Sequence, residues 1–272
     1  MAERARDFIA RDLQPAVPRD AATVILLRQE SGIEVFLLRR AGVLEFAPGA
    51  CVFPGGSVDE LDADPAIGET GWAGPSPADV GDLLGISADR ARALVCAAVR
   101  ETFEESGVLL AGPSAAELVR DGAVLGEDRH SLLTGSAALG DLLRRRGLLL
   151  RADLLTPWAR WITPEISPRR YDTWFFAAVL PPEQTAALTP GGAPGESDSG
   201  IWWAPSAALA AARSGEITLL PPTAITLAEL AAYQDVAAIL AARRRIVPLL
   251  PTAVVEEDQV WLALPQEVEY PL

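Results

Sequence analysis

Residues 100–108 read "RETFEESGV" and set three glutamates, Glu101, Glu104 and Glu105, on the last turns of a helix, just ahead of the glycine that ends it. The run from Ser87, "SADRARALVCAAVRETFEESG", predicts that helix: Ser87 is an N-cap residue, Asp89 lies in the first turn, and Gly107 stands where a C-terminal glycine belongs. At about 100° per residue the glutamates fall within about a 100° arc, with Val95, Cys96, Val99, Thr102 and Phe103 on the far side. One face is core and the other is carboxylate. Like charges at i,i+3 and i,i+4 cost roughly 0.2–0.5 kcal/mol per pair, and the negative end of the helix dipole lies beside them. Something positive should compensate. One reading is a solvated acidic face neutralised by Arg100 and Arg92. The other is a hard cation, Mg2+ or Mn2+, which takes oxygen ligands and can be shared by carboxylates one turn apart.

Upstream, "ACVFPGGS" reads as a strand running into Pro54-Gly55-Gly56, a turn whose backbone can approach a ligand closely. This turn and the glutamate run together resemble the signature of the Nudix hydrolases: Gly, five residues, Glu, seven residues, then Arg-Glu-apolar-x-Glu-Glu-x-Gly-apolar. The second half is matched by Arg100, Glu101, Thr102, Glu104, Glu105, Gly107 and Val108, with Thr102 the soft match. Counted from Gly56, the arginine belongs at 56 + 14 = 70 and stands at 100, so 30 extra residues intervene. That stretch, "DADPAIGETGWAGPSPADVGDLLG", is rich in Gly, Pro and Asp and reads as a surface loop insertion. Asp62 takes the place of the first signature glutamate, which in the family braces the loop by pairing with the arginine; the resemblance therefore implies an Asp62–Arg100 pair.

Composition narrows the function classes. All 23 basic residues are arginine, and the formal charge is −14, so no basic patch is available for nonspecific nucleic-acid binding. A small phosphorylated substrate held by a few arginines and metal ions stays open. The start, "MAERARDFIARDLQ", carries charges where a signal peptide needs an apolar run, and no stretch approaches ~18 apolar residues, which leads to the expectation of a soluble cytoplasmic protein. Cys51 and Cys96 have no paired-cysteine or zinc spacing and read as buried thiols; the lone His130 lies in a polar stretch.

Along the chain, "ATVILLRQESGIEVFLLRR" reads as a β-hairpin around Gln29–Gly32, and residues 111–157 as a second, helical insertion. "RRYDTWFFAAVLP" and "GIWWAP" read as strands, the first buried on both faces, with a flexible glycine-rich loop between them. Ser206 would cap a short alanine-rich helix, a longer helix would run from about Thr223 to Arg245, and "TAVVEEDQVWLAL" reads as a strand pair. The expectation is one domain over 1–272, an α/β/α sandwich with a mixed sheet and insertions at about 62–87 and 111–157.

"ARWITPEISPRRYDTWFF", "LLPPT" and the closing "VEYP" resemble the organellar coenzyme A diphosphatase branch of the Nudix hydrolases, whose members also carry a long insertion inside the signature. A motif of another coenzyme A diphosphatase branch keeps its spacing at Arg40, Ala41, Gly49 and Phe53, with Leu38 and Glu45 departing from it. The resemblance implies hydrolysis of a diphosphate bridge in coenzyme A or a related nucleoside diphosphate, with Mg2+ or Mn2+ as cofactor. Glu101 and Glu105 are the first-choice metal ligands, Glu104 is a third ligand or the base, Gly55 could add a carbonyl, and Arg100 belongs to the catalytic set. The base stays open, Glu196 and Asp198 being further candidates. Arg39, Arg40, Arg169 and Arg170 are candidates for substrate phosphate, and Trp174, Trp202 and Trp203 for an apolar groove. A Nudix enzyme for ADP-ribose, a dinucleotide or a nucleotide sugar, and a catalytically silent ligand sensor, are the alternatives. The partners expected are a small nucleoside diphosphate substrate and, as an option, a second copy of the chain.

Overall fold

The computed structural model describes Phe8 and residues 13–41, 49–187, 197–256, 259–265 and 268–272. Strands β1 (Arg19–Gln29) and β2 (Ile33–Arg40) form the expected hairpin, followed by β3 (Ala50–Val52) and β4 (Gly55–Ser57). The first inserted segment contributes α1 (Pro65–Thr70), β5 (Trp72–Ala73) and α2 (Pro77–Leu84), and the glutamate helix is α3 (Ala88–Ser106). Then come β6 (Ala111–Gly112), α4 (Gly126–Leu133), α5 (Leu139–Arg146), β7 (Leu149–Arg151), β8 (Thr156–Ile162), β9 (Tyr171–Val179) and β10 (Ser197–Trp203). The C-terminal part holds α6 (Pro205–Arg213), β11 (Thr218–Leu219), α7 (Pro221–Leu230), α8 (Val236–Ala241), β12 (Pro248–Leu249) and the hairpin β13 (Thr252–Glu256) with β14 (Gln259–Ala263).

The main sheet has the order β11-β3-β2-β1-β9-β8-β12, with β10 added to β2 and β4 to β1. It is mixed: β1 runs antiparallel to β2 and parallel to β9. The middle stretches of its central strands, residues 24–27 in β1 and 174–179 in β9, are apolar at every position because successive side chains enter different cores. Val24, Leu26, Trp174 and Phe176 pack with α3 and the inserted helices, while Ile25, Leu27, Phe175 and Ala177 pack with α6, α7 and α8. Helices thus cover both faces, giving the expected α/β/α sandwich.

Several expectations are corrected. The first insertion is not a surface loop: Ile67, Val80 and Leu84 are buried in the same core as α3. Pro65 and Pro77 sit at the first position of α1 and α2 behind the N-caps Asp64 and Ser76, where a missing N–H costs nothing. Both insertions also meet in a small sheet, β5 pairing with β7 and β7 with β6. Ser206 lies inside α6, whose N-cap is Ala204, and the long helix expected from Thr223 to Arg245 is two helices, with Asp235 capping the second. Among the described residues, no helix is long and apolar enough to cross a membrane.

Candidate active site

Helix α3 begins at Ser87, whose hydroxyl accepts from the Arg90 N–H, and ends at Gly107, a left-handed residue with φ 75°. Those two ends fix the phase of the helix. Val95, Cys96, Val99, Thr102 and Phe103 face the core, and Glu101, Glu104 and Glu105 lie half-buried along the other side, beside the turn into β4. Approach there is close. A Cβ on Gly56 would overlap the Glu101 carboxylate, and one on Gly55 would overlap the Ala22 carbonyl and Thr23. Glycine at both positions lets the backbone reach the carboxylates, and the Gly55 N–H donates to Glu105 Oε2 at 2.8 Å.

Arg100 organises the rest. Its Nε and Nη2 donate to the two oxygens of the buried Asp62 at 2.9 and 2.8 Å, Nη2 also donates to the Ser57 carbonyl at 3.0 Å, and Nη1 donates to Glu101 at 2.9 Å and to Glu104 at 3.3 Å. The expected Asp62–Arg100 pair is therefore present and bidentate. Burial alone would lower the Arg100 pKa, but the bonds to Asp62 and the charge of Glu101 hold it above the ordinary value. In Glu101 burial wins: it pushes the carboxyl up to about 7 against the pull of Arg100, with Glu104 adding repulsion. A carboxyl poised there can take up a proton or a cation, since either relieves the same charge.

The compensating charge comes partly from an unexpected source. Arg92 does not turn to the glutamates; it donates to Asp89 and to the Ala63 carbonyl, both at 2.9 Å. Instead the buried Arg129, from α4 in the second insertion, donates from Nε to the Glu104 carbonyl at 2.9 Å. Burial lowers its pKa to about 10, opposed by the charges of Glu105 and Glu104. No local pattern marks Arg129; only the known need for a cation at the negative end of α3 could have prompted a search for it.

The other sequence candidates are scattered. Arg170 is buried and donates to the Thr163 and Ala16 carbonyls at 2.9 and 2.8 Å, a brace between chain segments. Asp172, two residues on, binds Arg90 at 2.7 Å. From Arg90 to Glu105 the helix advances 105 − 90 = 15 residues, roughly 22 Å. The Arg169–Arg170 loop is therefore at the far end of the helix. On β2, alternation puts Arg40 on the face of Phe36 and Leu38, which carries α3, and the exposed Arg39 on the opposite one. Trp174 is buried, Trp203 packs in the core away from α3, and Trp202 is half-exposed on the α3 side against Phe36, ring centroids 5.3 Å apart. Glu45 and Glu196 lie outside the described residues, as does the side chain of Asp198.

Among the described residues, no three acidic, histidine or cysteine side chains already converge at metal-binding spacing. Arg100 holds Glu101 and Glu104, and the Gly55 N–H holds Glu105. The donor set is nevertheless all hard carboxylate oxygen, the chemistry that Mg2+ and Mn2+ require, and the 3.3 Å bond to Glu104 is a long one to displace.

Comparison with known proteins identifies the family. The family model described as the NUDT19 Nudix domain matches residues 81–230. The chain is 28% identical over 266 residues to an acyl-coenzyme A diphosphatase NUDT19 of Gallus gallus, covering 80% of this chain and 69% of that one. It is 29% identical over 226 residues to a putative nudix hydrolase 7 of Caenorhabditis elegans, covering 80% of this chain and 62% of the relative. The crystal structure of a Nudix hydrolase from Alicyclobacillus acidocaldarius superposes with a TM-score of 0.71 at 28% identity, covering 84% of this chain and 97% of that one. The chain belongs to the NUDT19 Nudix domain family and is a Nudix hydrolase.

Proposed function

We propose that this enzyme is a divalent-metal-dependent diphosphatase that cleaves coenzyme A or its acyl thioesters to 3′,5′-ADP and (acyl-)4′-phosphopantetheine. The observation that carries the diphosphatase reading is the α3 carboxylate face, held against Gly55–Gly56 and keyed to Asp62 through Arg100. The substrate part rests on the 28% likeness to a protein named acyl-coenzyme A diphosphatase.

Glu101, Glu104 and Glu105 would hold Mg2+ or Mn2+, which supplies neutralisation of the diphosphate oxygens and activation of a water. The reaction adds water across one P–O–P link: the water oxygen bonds to one phosphorus, the bridging P–O bond breaks, and the water proton passes to a base. Glu104 is the candidate for that base if Glu101 and Glu105 serve as ligands. Asp62 and the Ser57 carbonyl keep Arg100 in place, so the arginine stays anchored when Glu101 and Glu104 turn to another partner. Gly55, through its N–H, orients Glu105. Arg40 is the sequence-proposed phosphate contact on the correct sheet face, and Trp202 is the aromatic surface on that face for the pantetheine arm or base.

A substrate panel tests this. Coenzyme A, acetyl-coenzyme A, dephospho-coenzyme A, ADP-ribose and a dinucleoside polyphosphate are incubated with Mg2+ or Mn2+, and the products are identified by mass spectrometry. Release of 3′,5′-ADP, with dephospho-coenzyme A cleaved more slowly, is the expected result. Cleavage of ADP-ribose or the dinucleotide while coenzyme A stays intact would replace the substrate and keep the chemistry. No metal-dependent turnover on any of them would favour a silent ligand sensor.

A further inference from the structure

The end of α3 raises a mechanical question. Three carboxylates sit on its last two turns, where the carbonyls have no intrahelical partner and the dipole is negative. Left alone, such a turn frays, and the carboxylates drift apart with it. Here the carbonyls are taken up from outside the helix. The Gly107 N–H closes on Phe103, the Ala187 N–H donates to Ser106 at 2.9 Å, and Arg129 Nε donates to Glu104 at 2.9 Å. Packing is tight around the guanidinium: Arg129 Nη1 lies 2.9 Å from where a Cβ on Gly107 would stand, and Gly122, just ahead of α4, packs against the Gly107 carbonyl.

Arg129 differs from Arg100 in origin and in target. Arg100 is part of the signature and grips three carboxylate side chains as well as the Ser57 carbonyl, whereas Arg129 comes from the second insertion and grips the main chain of Glu104, next to Glu105. We infer that Arg129 is a positioning residue for the carboxylate site, a buried cation that holds the Glu104–Glu105 turn through the Glu104 carbonyl. The second insertion is thereby tied to catalysis, because it delivers the group that keeps the carboxylates in one arrangement. The role of Arg129 in turnover rests on the proposed diphosphatase reading; its hold on the turn does not.

The test uses the full chain with Arg129→Met, which keeps the hydrocarbon volume and removes donor and charge, and Arg129→Lys, which restores both. Hydrogen exchange followed by mass spectrometry compares a peptide spanning 100–110 with one from the middle of α3. The expected result for Arg129→Met is at least about 10-fold faster exchange in the 100–110 peptide and little change elsewhere. Its kcat should fall about 10- to 100-fold, the range for losing an outer support of a metal site, with KM moving less than about 3-fold. Arg129→Lys should recover most of both. Unchanged exchange at 100–110 would overturn the inference, as would exchange rising equally throughout the protein, which would mark Arg129 as general scaffold. If the wild-type chain cleaves no diphosphate, the functional reading fails, and the exchange data still decide whether Arg129 holds the turn.

Discussion

The two ends of α3 carry ionic clusters built from the same residue types, and they balance differently. Near the first turn, Arg90 binds Asp20 at 2.9 Å and Asp172 at 2.7 Å, and Arg160 adds two bonds to Asp172 at 2.8 and 2.6 Å. Two acids meet two arginines. At the last turns, Asp62, Glu101, Glu104 and Glu105 meet Arg100 and Arg129. Among the described residues, four acids meet two arginines there, an excess that one divalent cation would balance. The balanced cluster ties strands β1, β8 and β9 to the helix, and the other is where the proposed cation would bind.

The segment joining the two ends can be broken outright. Replacing residues 64–84 with a Gly/Ser linker removes Ile67, Val80 and Leu84 from the core, each worth roughly 2–5 kcal/mol by comparison with large-to-small substitutions there. The sum rivals the whole stability of a typical domain, so the expected result is loss of the cooperative thermal melt. A cooperative melt close to wild type would return the segment to the surface loop that its composition first implied.

That disagreement shows where the sequence was readable. Ser87, Gly107, the Gln29–Gly32 turn and the alternating strands announce themselves locally, because caps, turns and alternation act within a few residues. The glutamate face was legible for the same reason. Pro65 and Pro77 are the reverse case: they read as loop residues, yet each starts a helix behind a capping side chain. Arg129 and Arg170 could not be sorted at all, since a lone arginine has the same local signature whether it is buried on a carbonyl or exposed to solvent. Tertiary distance decides that, and the sequence pattern does not encode it.

Asp62 lies at the unbalanced end but is bound as tightly as anything at the balanced one. Asp62→Ala leaves Arg100 in place without its bidentate partner, and breaking a buried pair from one side costs about 3–5 kcal/mol. Urea denaturation should show that loss. A change below about 1 kcal/mol would mean that the Ser57 carbonyl, Glu101 and Glu104 suffice to hold Arg100.

Glu105→Gln keeps the shape and removes one of the excess charges. Turnover should fall roughly 10²-fold or more, while stability holds or rises slightly as repulsion is relieved. Initial rates at limiting Mg2+ measure it, and near-normal activity would remove Glu105 from the site.

Asp172→Asn should do the opposite, costing about 2 kcal/mol and leaving kcat untouched. The pH dependence follows from the same contacts. Burial would raise the Asp172 pKa, but the hydrogen bonds from Arg160 and Arg90 outweigh it and hold the carboxyl below its ordinary value. Its contribution to stability is therefore full above the ordinary carboxylate range and is lost as pH falls through the depressed folded-state value. Denaturation curves at pH 7 and in acid should converge for wild type and variant only in acid; curves that stay parallel would mean that Asp172 is not linked to folding in this way.

The central claim is that the excess carboxylate at the end of α3 holds a divalent cation for diphosphate cleavage. The most direct measurement is a Mn2+ titration of the metal-stripped protein, read by electron paramagnetic resonance alongside turnover, for wild type, Glu105→Gln and Asp172→Asn. The account predicts that Mn2+ binding and turnover rise together in wild type and in Asp172→Asn and fall together in Glu105→Gln. Mn2+ binding and turnover in Glu105→Gln equal to wild type would contradict it.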